Sequence, residues 1–268
     1  MHIDAIATEL LAALDGCRTL EAFTARDPAF DCGAAYRVSA ELLRRRRERG
    51  ETPVGRKIGF TNRTIWAEYG VSAPMWAHVY GTTVTYLDEP AARVRIEHLV
   101  QPRLEPEIVL HFAETPRPTD DEAELLSYVD WIAHGFEIVQ SHFPRWKFTL
   151  ADAIAAFGLH GALVVGPRRS TAGLGGDLAD GLRTFTIMLT NDGDVRRHGA
   201  GRDVLGSPLA AARHLLRVLQ DQPQFEPVQA GEIVTTGTLI SPPPIRAGER
   251  WRTELAGIAL PGLCLDFE

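Results

Sequence analysis

The residues best suited to chemistry stand in two short stretches of the chain. In Arg103-Leu104-Glu105-Pro106-Glu107-Ile108-Val109-Leu110 two carboxylates lie two residues apart. Side chains at i and i+2 of an extended strand project from the same face, so Glu105 and Glu107 would aim at one site. Further on, Trp131-Ile132-Ala133-His134-Gly135-Phe136-Glu137-Ile138-Val139 holds a third acid inside an apolar run, where a lone charge is costly unless something pairs with it. A divalent cation would pair with all three. Carboxylate oxygens suit a hard ion such as Mg²⁺ or Mn²⁺, which would keep other positions for water and for a substrate's oxygens. The same residues also admit a plainer arrangement, a Glu-x-Glu on the wet face of an edge strand, with Pro106 marking an edge or a distortion and Glu137 paired with Arg103, Arg145 or Lys147.

The elements that must position these acids are legible from periodicity. Apolar Ile3, Ile6, Leu10, Ala13 and Leu14 recur at helical steps, and a second helix begins near Asp31, passes through Val38, Leu42 and Leu43, and stops at Gly50. Its Arg44-Arg45-Arg46-Arg47-Glu48-Arg49 run complements a helix C-terminus and reads as a solvated helix end. After Gly50 the pattern changes. Residues 54–61 read as a strand entering a turn, with Lys57 inside it, followed by a short helix that ends at Gly70. Strands are expected at 82–86, 93–96, 107–112, 131–139, 162–165, 183–190 and 233–236, and helices at 121–129 and 208–219. Asn191-Asp192-Gly193-Asp194 reads as a hairpin turn and Pro242-Pro243-Pro244 as a rigid loop, with strand-like sequence resuming after Gly248. The order is α+β: a helical region over residues 1–53 and a mixed, β-rich catalytic domain over 54–268.

Composition narrows the partners. The 268 residues are 45% hydrophobic and 24% charged with a net charge of −7, which offers no electrostatic reason to bind nucleic acid or an anionic membrane and leaves a small molecule as the expected partner. Cys17, Cys32 and Cys264 have no paired spacing and read as free thiols in a reducing compartment. The amphipathic N-terminus is unlike a signal peptide and no apolar run is long enough to cross a bilayer, so a cytoplasmic location is expected. His78, His98, His111, His198 and His214 show no metal-ligand spacing.

Five separated motifs resemble the hydratase and decarboxylase branch of the fumarylacetoacetate hydrolase superfamily. They are Gly55-Arg56-Lys57-Ile58-Gly59-Phe60-Thr61, Gln101-Pro102-Arg103-Leu104-Glu105-Pro106-Glu107-Ile108, Phe136-Glu137-Ile138-Val139, Val204-Leu205-Gly206-Ser207-Pro208 and Thr236-Gly237-Thr238. The resemblance implies that Glu105, Glu107 and Glu137 carry Mg²⁺ or Mn²⁺, that Lys57 is the acid/base or polarising group, and that Thr61, Leu159, His160, Thr236 and Gly237 line the substrate. It also implies a homo-oligomer. Three stretches depart from the family pattern. Met75 stands where many hydratases carry an acid, Ala155-Ala156-Phe157-Gly158-Leu159-His160 replaces Ala-Asp-Asn-Ala-Ser-Ser, and Gln140-Ser141-His142 replaces Asp-Ser-Arg. The metal platform is kept while the polar wall changes, which points to a less usual 2-oxo acid with a bulkier or less polar tail. His142 and His160 are candidate new acid/base groups, and Arg145 and Arg202 are candidates for a second substrate carboxylate.

The chemistry these groups imply is a metal-dependent lyase. A 2-oxo acid offers a carboxylate and a keto oxygen to one cation, which then acts as a Lewis acid on an enolate-forming reaction. Hydration of a 2-oxoalk-4-enoate (the 2-hydroxy-dienoate) is expected first, then decarboxylation of a 4-oxalocrotonate-like 2-oxo diacid, then carbon–carbon hydrolysis of an acylpyruvate. A non-catalytic 2-oxo acid binder is the rival from another class.

Overall fold

The computed structural model describes residues 2–192 and 196–268. Its strands are β1 (Pro53–Gly59), β2 (Met75–Tyr80), β3 (Val84–Tyr86), β4 (Ala91–Val94), β5 (Arg103–Phe112), β6 (Val129–Val139), β7 (His160–Val165), β8 (Arg169–Ser170), β9 (Thr186–Asn191), β10 (Arg196–Ala200), β11 (Ile233–Thr235), β12 (Arg250–Ala256) and β13 (Cys264–Phe267). They form an eight-stranded mixed sheet in the order β2-β1-β11-β5-β6-β7-β3, with β8 paired to β6, and a five-stranded sheet in the order β10-β9-β12-β13-β4. The larger sheet curls into a half-barrel with helices against it, a mixed fold of helices and strands as the sequence implies.

The long antiparallel pair β5 and β6 forms the centre of this sheet, and its register decides which side chains meet. Glu105 lies opposite Glu137, Glu107 opposite Gly135 and Val109 opposite Ala133. Thr235 of β11 lies opposite Val109, and Lys57 of β1 opposite Thr235. Because side chains alternate along strands, all of these residues share one face. That face is polar at one end, and at the other it closes with a small apolar cluster of Val79, Val109, Ala133, Leu163, Val165 and Ile233. The opposite face, with Leu104, Ile108, Leu110, Ile132, Phe136 and Ile138, joins the main core. The helix Cys32–Glu48, N-capped by Asp31, packs against the helices Ile3–Asp15 and Leu150–Ala155, so the N-terminal helices belong to the same core. In its last turns Arg44, Arg45, Arg46 and Arg49 each pair with a carboxylate.

Pro106 sits inside β5, a central strand rather than the edge that proline usually marks. The structure tolerates it because β11 pairs only with Val109, Leu110 and His111. Beyond that point a loop replaces β11, and Leu239 N–H donates to Pro106 O without needing an amide from residue 106. Other expectations shift. The helix expected at 121–129 is confined to Glu122–Ser127, since Val129 already belongs to β6. Residues 81–83 close a tight turn, with Thr83 Oγ1 2.9 Å from Tyr80 O, before β3 starts at Val84. The strand expected at 93–96 lies at Ala91–Val94, paired with β13. Most of the strand expected at 183–190 is present, but Asp177 caps a helix, Leu178–Thr184, that takes its first residues. β2 escapes sequence reading because all six of its side chains are buried, leaving no alternation. Gly193 and Asp194 of the expected hairpin turn lie outside the described residues, while β9 and β10 on either side pair antiparallel. Among the described residues no helix is long and apolar enough to cross a membrane.

His134 ties the two sheets together. Its Nδ1–H donates to the Glu107 carbonyl at 3.0 Å and its Nε2 lies 2.8 Å from Thr253 Oγ1 on β12. Burial holds its pKa down at about 4, so the ring is neutral, and the Thr253 hydroxyl donates to Nε2. His134→Ala removes both bonds and leaves a void, and is expected to destabilise the fold by about 2–4 kcal/mol, read as a lower urea midpoint at unchanged m value.

Candidate metal centre and active site

Glu105, Glu107 and Glu137 converge. One carboxylate oxygen from each lies within 4.8 Å of the others, and all three residues are buried. Two of their oxygens, Glu107 Oε1 and Glu137 Oε2, have no hydrogen-bond partner, and neither does the buried hydroxyl of Thr235 on the same face. Buried polar atoms are ordinarily satisfied, so orphans clustered beside three acids mark a place for a ligand. Hard oxygen donors in this number fit Mg²⁺ or Mn²⁺ with positions left open.

Lys57 is the cation the protein itself supplies. It is 2% exposed, its Nζ lies 3.2 Å from Glu137 Oε2, and it donates to Gly158 O at 3.0 Å. Burial favours the neutral amine, but Glu137, Glu105 and Glu107 outweigh it and hold the ammonium above its usual pKa. One ammonium cannot balance three acids. Burial and the neighbouring carboxylates push Glu107 well up, and burial, opposed by Lys57, lifts Glu105 to about 7. Burial also works against ionised Glu137, yet Lys57 and a hydrogen bond from His160 bring it down to about 2. The protein therefore holds one fixed carboxylate and two that gain protons easily.

Glu137 thus pairs with Lys57 and His160, not with Arg103, Arg145 or Lys147. Arg103 instead donates to Tyr69 Oη at 2.5 Å and pairs with Glu68 at 3.4 Å.

The turn after β11 holds Glu107. Gly237 N–H donates to Glu107 Oε2 at 2.7 Å, Thr61 Oγ1 donates to Thr236 O at 2.9 Å, and Thr236 Oγ1 donates to Ile108 O at 3.1 Å. Gly237 has φ +95°, and a Cβ there would lie 1.9 Å from Thr61 Oγ1, so glycine is required. Thr61 and Thr236 thus direct their hydroxyl protons to backbone carbonyls and Gly237 its amide to a carboxylate. In the structure these three residues build the surroundings of Glu107.

A second unusual turn seats Lys57. Phe157, Gly158 and Leu159 all have positive φ, at 58°, 59° and 63°. For a non-glycine residue this left-handed geometry costs about 1–2 kcal/mol. It turns the Gly158 carbonyl onto Lys57, and a Cβ on Gly158 would lie 2.6 Å from the Ala77 Cβ. The Phe-Gly-Leu sequence that departs from the family pattern is therefore part of the lysine's seat. Leu159, expected at the substrate, is buried in this turn.

His160 begins β7, with Nδ1 2.7 Å from Glu137 Oε1. His142 meets Phe157 edge-on at 6.2 Å; its Nδ1–H donates to Arg18 O and its buried Nε2 has no hydrogen-bond partner. Arg202 lines a groove on the smaller sheet with His198 and Glu254, and Arg145 is exposed. Two partners of the centre escaped the sequence reading, Thr235 and Thr83. Only the register of β11 and the turn before β3 bring them near, and a threonine in a strand carries no local signal.

One face of the half-barrel thus carries a buried carboxylate triad and a buried lysine. Residues 64–260 match the family model described as fumarylacetoacetate (FAA) hydrolase C-terminal, and the chain belongs to that family. Within it, the chain falls in the hydratase and decarboxylase branch at about 29% identity over its full length. It is 29% identical over 258 residues to 2-hydroxyhexa-2,4-dienoate hydratase of Comamonas testosteroni, covering 96% of this chain and 94% of that one. It is 29% identical over 263 residues to a 4-oxalocrotonate decarboxylase of Pseudomonas sp, covering 96% of each. Among solved structures, 4-oxalocrotonate decarboxylase from Pseudomonas putida G7, complexed with magnesium and adipate, superposes with a TM-score of 0.87 at 24% identity, covering 99% of this chain and 97% of that one.

Glu107→Gln keeps the shape and the Gly237 contact. It should leave the metal-free melting temperature nearly unchanged and abolish the stabilisation that Mg²⁺ or Mn²⁺ gives the parent, about 2.7 kcal/mol at a hundredfold excess over Kd and read as a higher melting temperature. Protons on Glu105 and Glu107 compete with a cation. Because both pKa values are raised, affinity should climb as pH rises from about 6 to about 8, with protons released on binding. Calorimetry in buffers of different ionisation enthalpy measures both.

Proposed function

We propose that this protein is a divalent-metal-dependent lyase that hydrates a 2-oxoalk-4-enoate, presented as its 2-hydroxy-dienoate tautomer. The observation that carries this reading is the convergence of three buried carboxylates and one buried ammonium on a single face, with orphaned oxygens between them. The similarity to a dienoate hydratase supports the substrate class.

Glu105, Glu107 and Glu137 would hold Mg²⁺ or Mn²⁺. When bound, the cation supplies Lewis acidity to a chelated 2-oxo acid. Lys57 has three N–H donors, of which one goes to Gly158 O and one faces Glu137. The third serves the substrate, stabilising charge as it develops on the 2-oxo oxygen; it gives a proton to the substrate carbon as the double bonds shift, and the proton lost from the 2-hydroxyl restores the ammonium. The apolar turn of Phe157 and Leu159 excludes stray water from that exchange and takes a less polar tail.

One feature favours decarboxylation as the second reading. Met75, buried at the end of β2 where many hydratases carry an acid, supplies no base to activate water. Loss of CO₂ from a 2-oxo diacid needs none.

The deciding experiment gives metal-loaded protein 2-hydroxypenta-2,4-dienoate and 2-oxohex-3-enedioate in parallel and follows product mass. Gain of water from the first supports hydration, and loss of CO₂ from the second moves decarboxylation to first place. Binding without turnover of either, or of an acylpyruvate, sinks the enzymatic reading. Lys57→Gln should lower kcat/KM by about 10²–10⁴-fold while metal binding persists.

A further inference from the structure

His160 occupies a position where the family pattern has serine, and its ring reaches two partners. Nδ1 lies 2.7 Å from Glu137 Oε1, and Nε2 lies 2.8 Å from Thr83 Oγ1. The Thr83 hydroxyl is also 2.9 Å from the Tyr80 carbonyl. A hydroxyl has one proton, and a carbonyl can only accept. If Thr83 donates to Tyr80 O, the contact with His160 requires a proton on Nε2, and Nδ1 must carry a second one to reach the carboxylate. If Thr83 donates to Nε2, the ring is neutral and its single proton sits on Nδ1. In both arrangements Nδ1–H donates to Glu137 Oε1, whatever the ring's charge.

We propose that His160 is a positioning residue: it occupies Glu137 Oε1, so that Oε2 alone faces the cation, and Thr83 sets the plane of the ring. This rests on the metal-centre reading above. The two oxygens of Glu137 are already distinct, since Oε1 carries the histidine bond while Oε2 is buried without one and points towards Lys57. A carboxylate hydrogen-bonded at one oxygen is oriented to present the other to a cation, and turning to grip with both strains that bond. The backbone of His160 is fixed in turn, as Gln140 Nε2 donates to its carbonyl at 3.3 Å and Gln140 N donates to Leu159 O at 2.8 Å. His160 also helps to line a cavity of about 610 Å³, together with Thr83, Phe157 and Arg46.

The test titrates metal-free protein with MnCl₂ by calorimetry, comparing the parent with His160→Asn and His160→Leu. Asparagine keeps an N–H donor near the place of Nδ1, whereas leucine keeps bulk and loses the donor. The expected result is Mn²⁺ affinity within about threefold of the parent for asparagine and about 10–100-fold weaker for leucine. A purely packing role predicts the opposite order, and that order overturns the proposal. Long-range ¹H–¹⁵N spectra of the unmodified, metal-free protein provide an arm that needs no variant to fold: a protonated Nδ1 on His160 is expected, and an unprotonated one overturns the assignment. A parent that takes up no Mn²⁺ removes the metal-centre reading and this one together, whereas a parent that binds while leucine matches it removes this one alone.

Discussion

Three carboxylates buried around one ammonium set the terms for the rest of the molecule. Two ionised carboxylates within 4.8 Å repel by about 3 kcal/mol or more at an effective dielectric near 20. Burial adds a desolvation cost to each. Lys57 and His160 offset that cost for Glu137 but not for Glu105 and Glu107, whose pKa values rise. A hard dication removes the same strain. The acids are thus poorly matched to the metal-free state and well matched to a loaded one, which is what a site selected for binding should look like.

Holding such a cluster requires support from outside the strands that carry it. His134 clamps the Glu107 backbone from behind, through the second sheet. Gly237 and its two threonine clips hold the Glu107 side chain from the β11 side. The left-handed turn at Phe157–Leu159 grips Lys57 through a carbonyl. Each support is locally unfavourable in some respect: a buried histidine, a tight glycine, or consecutive positive φ angles. They persist because the surrounding packing over-determines them.

Legibility followed the range of the interactions. Amphipathic helices such as Pro208–Gln220 were visible because their periodicity is local, and Glu105 and Glu107 were visible because a strand's two-residue repeat is local as well. β2 was invisible because burial on both sides erases alternation. Pro106 pointed to an edge, and the actual answer lay in where β11 stops, a fact recorded more than a hundred residues away in the chain. Thr61, Thr236 and Gly237 lie around Glu107 through hydrogen bonds whose directions composition does not encode.

By itself the sequence determined the donor set: three glutamates whose oxygens suit a hard cation, a lysine between glycines, and apolar runs long enough to bury them. Tertiary structure decided which oxygen of Glu107 and which of Glu137 is left without a hydrogen bond. That choice depends on the β5 to β6 register, on the loop that replaces β11 and on the ring of His160, contacts that join residues far apart in the chain. Residue type sets what a side chain can bind, but only the packed backbone directs its lone pairs.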